Sequence, residues 1–140
     1  MKHIGKSLLS LLLIAILLLS AVGCSGGIDK DRAKADMQSF LDAVAAEDYE
    51  AAAALMHPAR PLDLKAFFEH IEAEEGIDFG SGIEVLRSSG FSYAYYDSEI
   101  DGSRYALELE VEIGGVRAEI ELEAVQNDAG YGIYDVEVDV

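Results

Sequence analysis

The sequence predicts an α+β domain in which three N-terminal helices pack on one face of a four-stranded antiparallel sheet. Three observations carry this reading. Apolar residues recur at helical spacing through the first half of the chain, and from Ile83 onward the spacing changes to strict alternation. Two turn signals, Asp101-Gly102 and Gly114-Gly115, separate the alternating runs. A sheet with one apolar face has to be covered, and only the helices are available to cover it.

Each element has its own signature. Asp29 or Asp31 serves as N-cap of the first helix, whose residues Met37, Phe40, Leu41 and Val44 fall at i, i+3, i+4 and i+7 on one face. It runs to about Ala46. Asp48 is a second N-cap, opening a short alanine-rich helix from Tyr49 to about Met56 that Pro58 stops. Pro61 suits the first position of a third helix, where a missing N–H costs nothing. Leu64, Phe67, Phe68 and Ile71 then repeat the apolar spacing, and Gly76 ends it.

The strands follow in sequence. Ile83–Tyr96 is a first, less regular strand; in Tyr105–Ile113 the odd positions are apolar and alternate with Glu108, Glu110 and Glu112. Val116–Val125 places Val116, Ala118, Ile120 and Leu122 opposite Arg117, Glu119, Glu121 and Glu123. Tyr131–Val140 sets Tyr134, Val136, Val138 and Val140 against Asp135, Glu137 and Asp139. A two-residue Gly114-Gly115 turn fixes the register, so that Glu108 faces Glu121, Glu110 faces Glu119, and Glu112 meets Arg117.

The first 23 residues read differently from the rest. A short segment carrying Lys2, His3 and Lys6 precedes an apolar run from Leu8 to Leu19, which is shorter than the roughly 20 residues of a membrane-spanning helix. The run ends in small residues at Ala21-Val22-Gly23-Cys24. This pattern resembles the lipobox of bacterial lipoproteins, in which a peptidase cuts before a cysteine that has received a diacylglyceryl group. The resemblance implies a signal peptide over 1–23, a lipidated Cys24 with a flexible tether over 24–30, and one domain over 31–140. It also implies attachment to the extracytoplasmic face of the cell membrane, or to the outer membrane where there is one, since Ser25 follows the cysteine. Two acyl chains hold a protein durably, because each buried methylene contributes about 0.8 kcal/mol.

Composition narrows the partners. The formal charge is −17, and without the signal 8 basic residues stand against 27 acidic ones, or −19. Such a surface repels nucleic acid and anionic headgroups and suits solvation or a cationic partner. Cys24 is the only cysteine, so the domain is expected to fold without a disulfide, a thiolate metal site or a cysteine nucleophile.

The segment Phe40-Leu41-Asp42-Ala43-Val44-Ala45-Ala46-Glu47-Asp48-Tyr49-Glu50, the short second helix and the closing Gly130-Tyr131-Gly132-Ile133-Tyr134-Asp135-Val136 together resemble the NTF2-like, or cystatin-like, small domains of many bacterial lipoproteins. In those domains the last strand usually opens with Gly-x-Trp, whereas this chain has Tyr131 there and no tryptophan at all. The resemblance implies a curved sheet wrapped around the first helix, forming a cone that holds either a pocket or packed side chains. Enzymes of that fold place a carboxylate or histidine inside the cone, but every Asp and Glu of the regular strands here has the parity opposite to the apolar stripe. No catalytic residue and no cofactor is therefore expected. His57, beside Pro58, is expected to cap a helix or lie at the surface, and His70, one position off the apolar stripe, to sit at its boundary.

Two candidate sites remain. Phe91, Tyr93 and Tyr95 share one strand face, with Tyr96 on the other, and combine ring area with polar tips that suit an apolar or sugar ligand. Glu108, Glu110, Glu119 and Glu121 form an acidic patch suited to Ca²⁺ or to a basic partner, with solvation as the simpler role. The expected function is a lipid-anchored binding or accessory module, monomeric because glutamates cover the outer sheet face. Its partners would be the membrane through Cys24 and an envelope protein or small ligand. The alternatives are a small isomerase- or hydrolase-like enzyme in the cone, or an acidic structural envelope protein.

Overall fold

The computed structural model describes residues 27–140; the signal segment and Cys24 lie outside the described residues. The order is α1 (Lys30–Ala45), α2 (Tyr49–Ala53), α3 (Leu64–Glu75), a single 3₁₀ turn (Phe79–Ser81), then β1 (Ile83–Asp97), β2 (Gly102–Ile113), β3 (Val116–Asn127) and β4 (Gly130–Asp139). The strands form one antiparallel meander, β1-β2-β3-β4. The three helices cover one face of this curved sheet.

Carboxylates start all three helices. Asp29 Oδ1 accepts the amides of Asp31 and Arg32, Asp48 accepts that of Ala51, and Asp63 accepts that of Ala66. Because Asp63 takes the cap, α3 begins at Leu64 and Pro61 lies before it rather than at its first position. Gly76 closes α3 in the left-handed region at φ 68°. Helix α2 ends at Ala53, short of Met56, because Leu55–His57 are drawn onto β4. Met56 bridges Ile133 in parallel, the His57 amide donates to Ile133 O at 2.8 Å, and the Ile133 amide donates to Leu55 O at 2.9 Å.

The apolar faces meet as expected. Ala33, Met37, Phe40, Leu41 and Val44 of α1 are buried, as are Leu64 and Phe68 of α3, while Phe67 and Ile71 are partly buried. The sheet answers with Tyr105, Leu109, Val111, Ile113, Ile120, Leu122, Ile133 and Val136. Each of the large side chains in this layer contributes about 1.5–3 kcal/mol through its burial. Phe68 sits at the centre, with ring centroids 6.2 Å from Phe40, 5.1 Å from Phe67, 4.9 Å from Phe79 and 6.3 Å from Tyr49. The cone is filled by these rings.

Two features of the sheet depart from simple alternation. In β1 the register slips between Val85 and Arg87, between Ser88 and Gly90 and between Ala94 and Asp97, so Leu86, Ser89 and one residue of Tyr95-Tyr96 are extra residues in the edge strand. In β4, Glu123 pairs with Asp135 but Ala124 pairs with Ile133, leaving Tyr134 as a bulge. The Tyr134 ring packs edge-on against His57 at 5.4 Å. The packed domain also begins earlier than residue 31: Ile28 is buried, and its amide donates to Ser103 Oγ at 2.9 Å.

Candidate functional site

The chemistry-bearing residues fall on three surfaces and one buried position. The buried one is His57, only 1 % exposed and so neither at the surface nor simply a helix cap. Its Nδ1 accepts the Ala59 amide at 3.0 Å, while Nε2 lies 3.0 Å from Asn127 Oδ1 and 3.1 Å from Gly130 O. A nitrogen that accepts an amide bears no proton, so the proton is on Nε2 and donates to those two oxygens. Both ring nitrogens are thus engaged: Nδ1 within the α2–α3 connection, and Nε2 tying that connection to the β3–β4 turn. The sequence hid this because Asn127 and Gly130 lie 70 and 73 residues further along the chain. His70, by contrast, is exposed beside Glu74 at 3.3 Å.

The outer sheet face carries the expected acidic pairs: Glu108 opposes Glu121, Glu110 opposes Glu119, and Glu112 opposes Arg117. The charges on this face are unevenly compensated. Arg117 reaches diagonally past Glu112 to Glu110 at 2.7 Å, and Arg87 meets the same carboxylate at 2.6 Å. These bonds, led by the one from Arg87, hold Glu110 below the usual carboxylate range. Arg104 lies among Asp97, Glu99 and Glu123. Glu121 has no such partner among the described residues, and burial, reinforced by Glu137, Glu108, Asp135 and Glu119, pushes its carboxyl up. Burial pushes Glu123 up as well, against the opposing pull of Arg104. Among the described residues no group of three or more His, Cys, Asp or Glu side chains is arranged to hold one metal ion.

This imbalance gives a signed pH dependence. A carboxyl raised on folding stabilises the fold below its ordinary unfolded value, near 4.3, and loses that contribution as pH rises through the raised folded value. Glu110 acts oppositely, losing its contribution only as pH falls through its lowered value. Acidification from neutral towards pH 5 is therefore expected to raise the melting temperature. Glu121→Gln should add roughly 0.2–1 kcal/mol at neutral pH, the cost of one opposed like-charge pair, and flatten the rise. Thermal unfolding followed by circular dichroism checks both; a melting temperature that falls between pH 7 and pH 5 would contradict the assignment.

A second acidic surface is a cleft of about 780 Å³ beside α2 and α3, bordered by Glu47, Asp48, Glu50, Glu69 and Glu72 with Lys65. Burial, then the nearby Asp78 and Glu47, raise Glu72. No sheet residue lines it, so it is separate from the cone.

The third surface is aromatic. Phe91 pairs with Leu107 and Tyr93 with Tyr105, which puts both on the helix-covered side of the sheet. The rings are nevertheless open to solvent. Phe91 is 72 %, Tyr93 38 %, Tyr95 65 % and Tyr96 61 % exposed. They do not line the cone's interior. The Lys30 ammonium lies 4.2 Å from the centre of the Tyr93 ring, and Tyr96 donates to Asp101 at 2.8 Å. A shallow cleft of about 280 Å³ runs past Gly27, Tyr95, Tyr96, Ser103 and Asn127. Across α1, Tyr131 donates to Asp36 at 2.7 Å with Arg32 stacked over its ring at 4.0 Å, so burial and that bond raise the phenol. Tyr131 thus anchors α1 to β4, a role its place in an alternating strand did not reveal.

No family model matches the sequence, and neither a curated protein nor a solved structure shows significant similarity to it. Among the described residues no helix is long and apolar enough to cross a membrane.

Proposed function

We propose that the protein is an exported lipoprotein, anchored through Cys24 to the outer side of a cell membrane, whose NTF2-like domain acts through its exterior as a non-catalytic binding or accessory module. The supporting observation is the filled cone: Phe40, Phe68, Phe79 and Tyr105 occupy the space in which a pocket would lie, and all four are buried. An enzyme reading needs an ionisable group facing free space inside the cone. His57, the buried histidine, has both ring nitrogens engaged by structural partners. A second reading, an acidic structural envelope protein, draws on the same packing and on the charge of −19 that remains without the signal. Changing Glu108, Glu119, Glu121 and Glu137 together to glutamine separates the two. It abolishes a role based on charge and spares one based on the aromatic edge.

The anchoring is tested on the full chain produced in a bacterial host. The wild-type protein should partition with membranes and, after processing, carry a diacylglyceryl mass on an N-terminal Cys24. Cys24→Ser should remove that mass and release the domain from the membrane fraction. Wild-type protein recovered without acyl mass, or cut at another position, would sink the lipoprotein reading.

A further inference from the structure

Resting on that lipoprotein reading, we propose that the aromatic edge of β1 is a membrane-contacting surface: Phe91, Tyr93 and Tyr95 lie in the headgroup region of the bilayer that holds the Cys24 anchor. Eight large apolar side chains are exposed among the described residues, and Phe91, Tyr93, Tyr95 and Tyr96 are four of them within one six-residue stretch. The other four, Leu62, Leu86, Val116 and Val140, are scattered over the rest of the sequence. Exposed rings on an edge strand invite strand-to-strand aggregation unless something covers them.

The position of the chain's entry identifies the cover. A Cβ on Gly27 would stand 3.1 Å from the Tyr93 hydroxyl oxygen and 3.2 Å from the Tyr95 ring, so the backbone enters the domain directly against this edge. Ile28 is already fixed through Ser103 and by burial, which leaves little slack beyond Gly27. Three residue steps separate Cys24 from Gly27, and a fully extended chain spans at most about 3.6 Å per residue. The Cα of Cys24 is therefore within about 11 Å of the point where the chain meets the tyrosines, and its sulfur only two bonds further.

The chemistry of the edge fits the location. Tyrosine and other amphipathic rings concentrate at the membrane–water interface, with the ring among the upper acyl segments and the hydroxyl among the headgroups. Lys30 stacks on Tyr93, and Lys34 lies one turn further along the same side of α1, so both ammonium groups are placed to reach lipid phosphates. These two and Arg32 are three of only 8 basic residues that follow the signal, gathered in the first five positions of α1. The acidic outer sheet face and the Gly114-Gly115 hairpin would then point away from the bilayer. The end of β2 at Ile113, beside the hairpin, lies ten residues from Ser103, or roughly 33 Å at strand rise.

The chain contains no tryptophan, so single introduced tryptophans report depth without background. Tyr95→Trp, Phe91→Trp and, at the far end, Val116→Trp are made in the full chain. Each protein is purified in lipidated form and reconstituted into phosphatidylcholine vesicles with and without bromine on the acyl chains. The expected result is blue-shifted emission that brominated lipid quenches for Tyr95→Trp and Phe91→Trp, with unchanged emission for Val116→Trp. All three positions are exposed, and circular dichroism verifies that each variant is folded. Absence of quenching at positions 91 and 95 in protein whose mass shows diacylglyceryl on Cys24 overturns this inference and leaves the lipoprotein reading intact. Equal quenching at all three positions overturns it as well, because no particular edge then faces the lipid. A mass without diacylglyceryl removes the lipoprotein reading and this inference together.

Discussion

Gly132→Ala is expected to destabilise the domain by about 3 kcal/mol or more, a loss at the upper end for a single added methyl. A Cβ at this position would lie 2.6 Å from the Met56 carbonyl carbon and 2.7 Å from His57 Cα, and closer still to the His57 nitrogen. All three are backbone atoms, so no rotamer change relieves the clash. Moving the Met56–His57 segment away would lengthen the two hydrogen bonds that join it to Ile133. It would also pull the His57 ring from Asn127 and Gly130, leaving buried polar groups unpaired at about 1–3 kcal/mol each. With total stability in the usual range of about 5–15 kcal/mol, a substantial share of the fold would be lost. Urea unfolding measures it; a loss below about 1 kcal/mol would show that the Leu55–His57 bridge can slide outward freely.

Phe68→Ala is expected to cost about 3–5 kcal/mol, the range for removing a large aromatic side chain from a packed core. Its ring touches four others, those of Phe40, Tyr49, Phe67 and Phe79, contributed by three helices and the 3₁₀ turn. They cannot all collapse inward, so an apolar cavity should remain. Such cavities stay dry and accept small aromatic molecules. Benzene should therefore raise the melting temperature of the Phe68→Ala protein and leave that of the wild type unchanged. A wild-type protein stabilised to the same degree would show free space in the cone and return attention to an internal site.

Both predictions depend on packing that follows from local sequence only in part. The Met37/Phe40/Leu41/Val44 stripe and the Leu64/Phe68 pair were legible because helical spacing assigns a face without knowledge of what covers it. The pairing of Glu108 with Glu121 and of Glu110 with Glu119 was legible because a two-residue turn fixes register, and a one-residue slip would turn every apolar side chain outward. The actual partner of Arg117 was not legible. A long flexible side chain can reach several carboxylates, and which one it meets depends on the packed geometry that brings Arg117 and Arg87 to the two oxygens of Glu110. The irregular pattern of Ile83–Tyr96 showed in the sequence, but the positions of the bulges at Leu86, Ser89 and Tyr134 did not, because an extra residue in a strand is defined only against its partner strand.

The amino-acid sequence by itself therefore determined the two layers, the order of the strands, the β2–β3 register, the caps of the first two helices and the acidic character of the outer face. Each of these follows from periodicity or from contacts within a few residues. Only the tertiary structure decided that the cone is filled, that His57 is buried between segments 70 residues apart, and that the Phe91–Tyr96 rings stand exposed beside Gly27. Those outcomes depend on how far the helices extend over the edge strand and on how closely two backbones approach at Gly132, distances that arise only once the layers have packed.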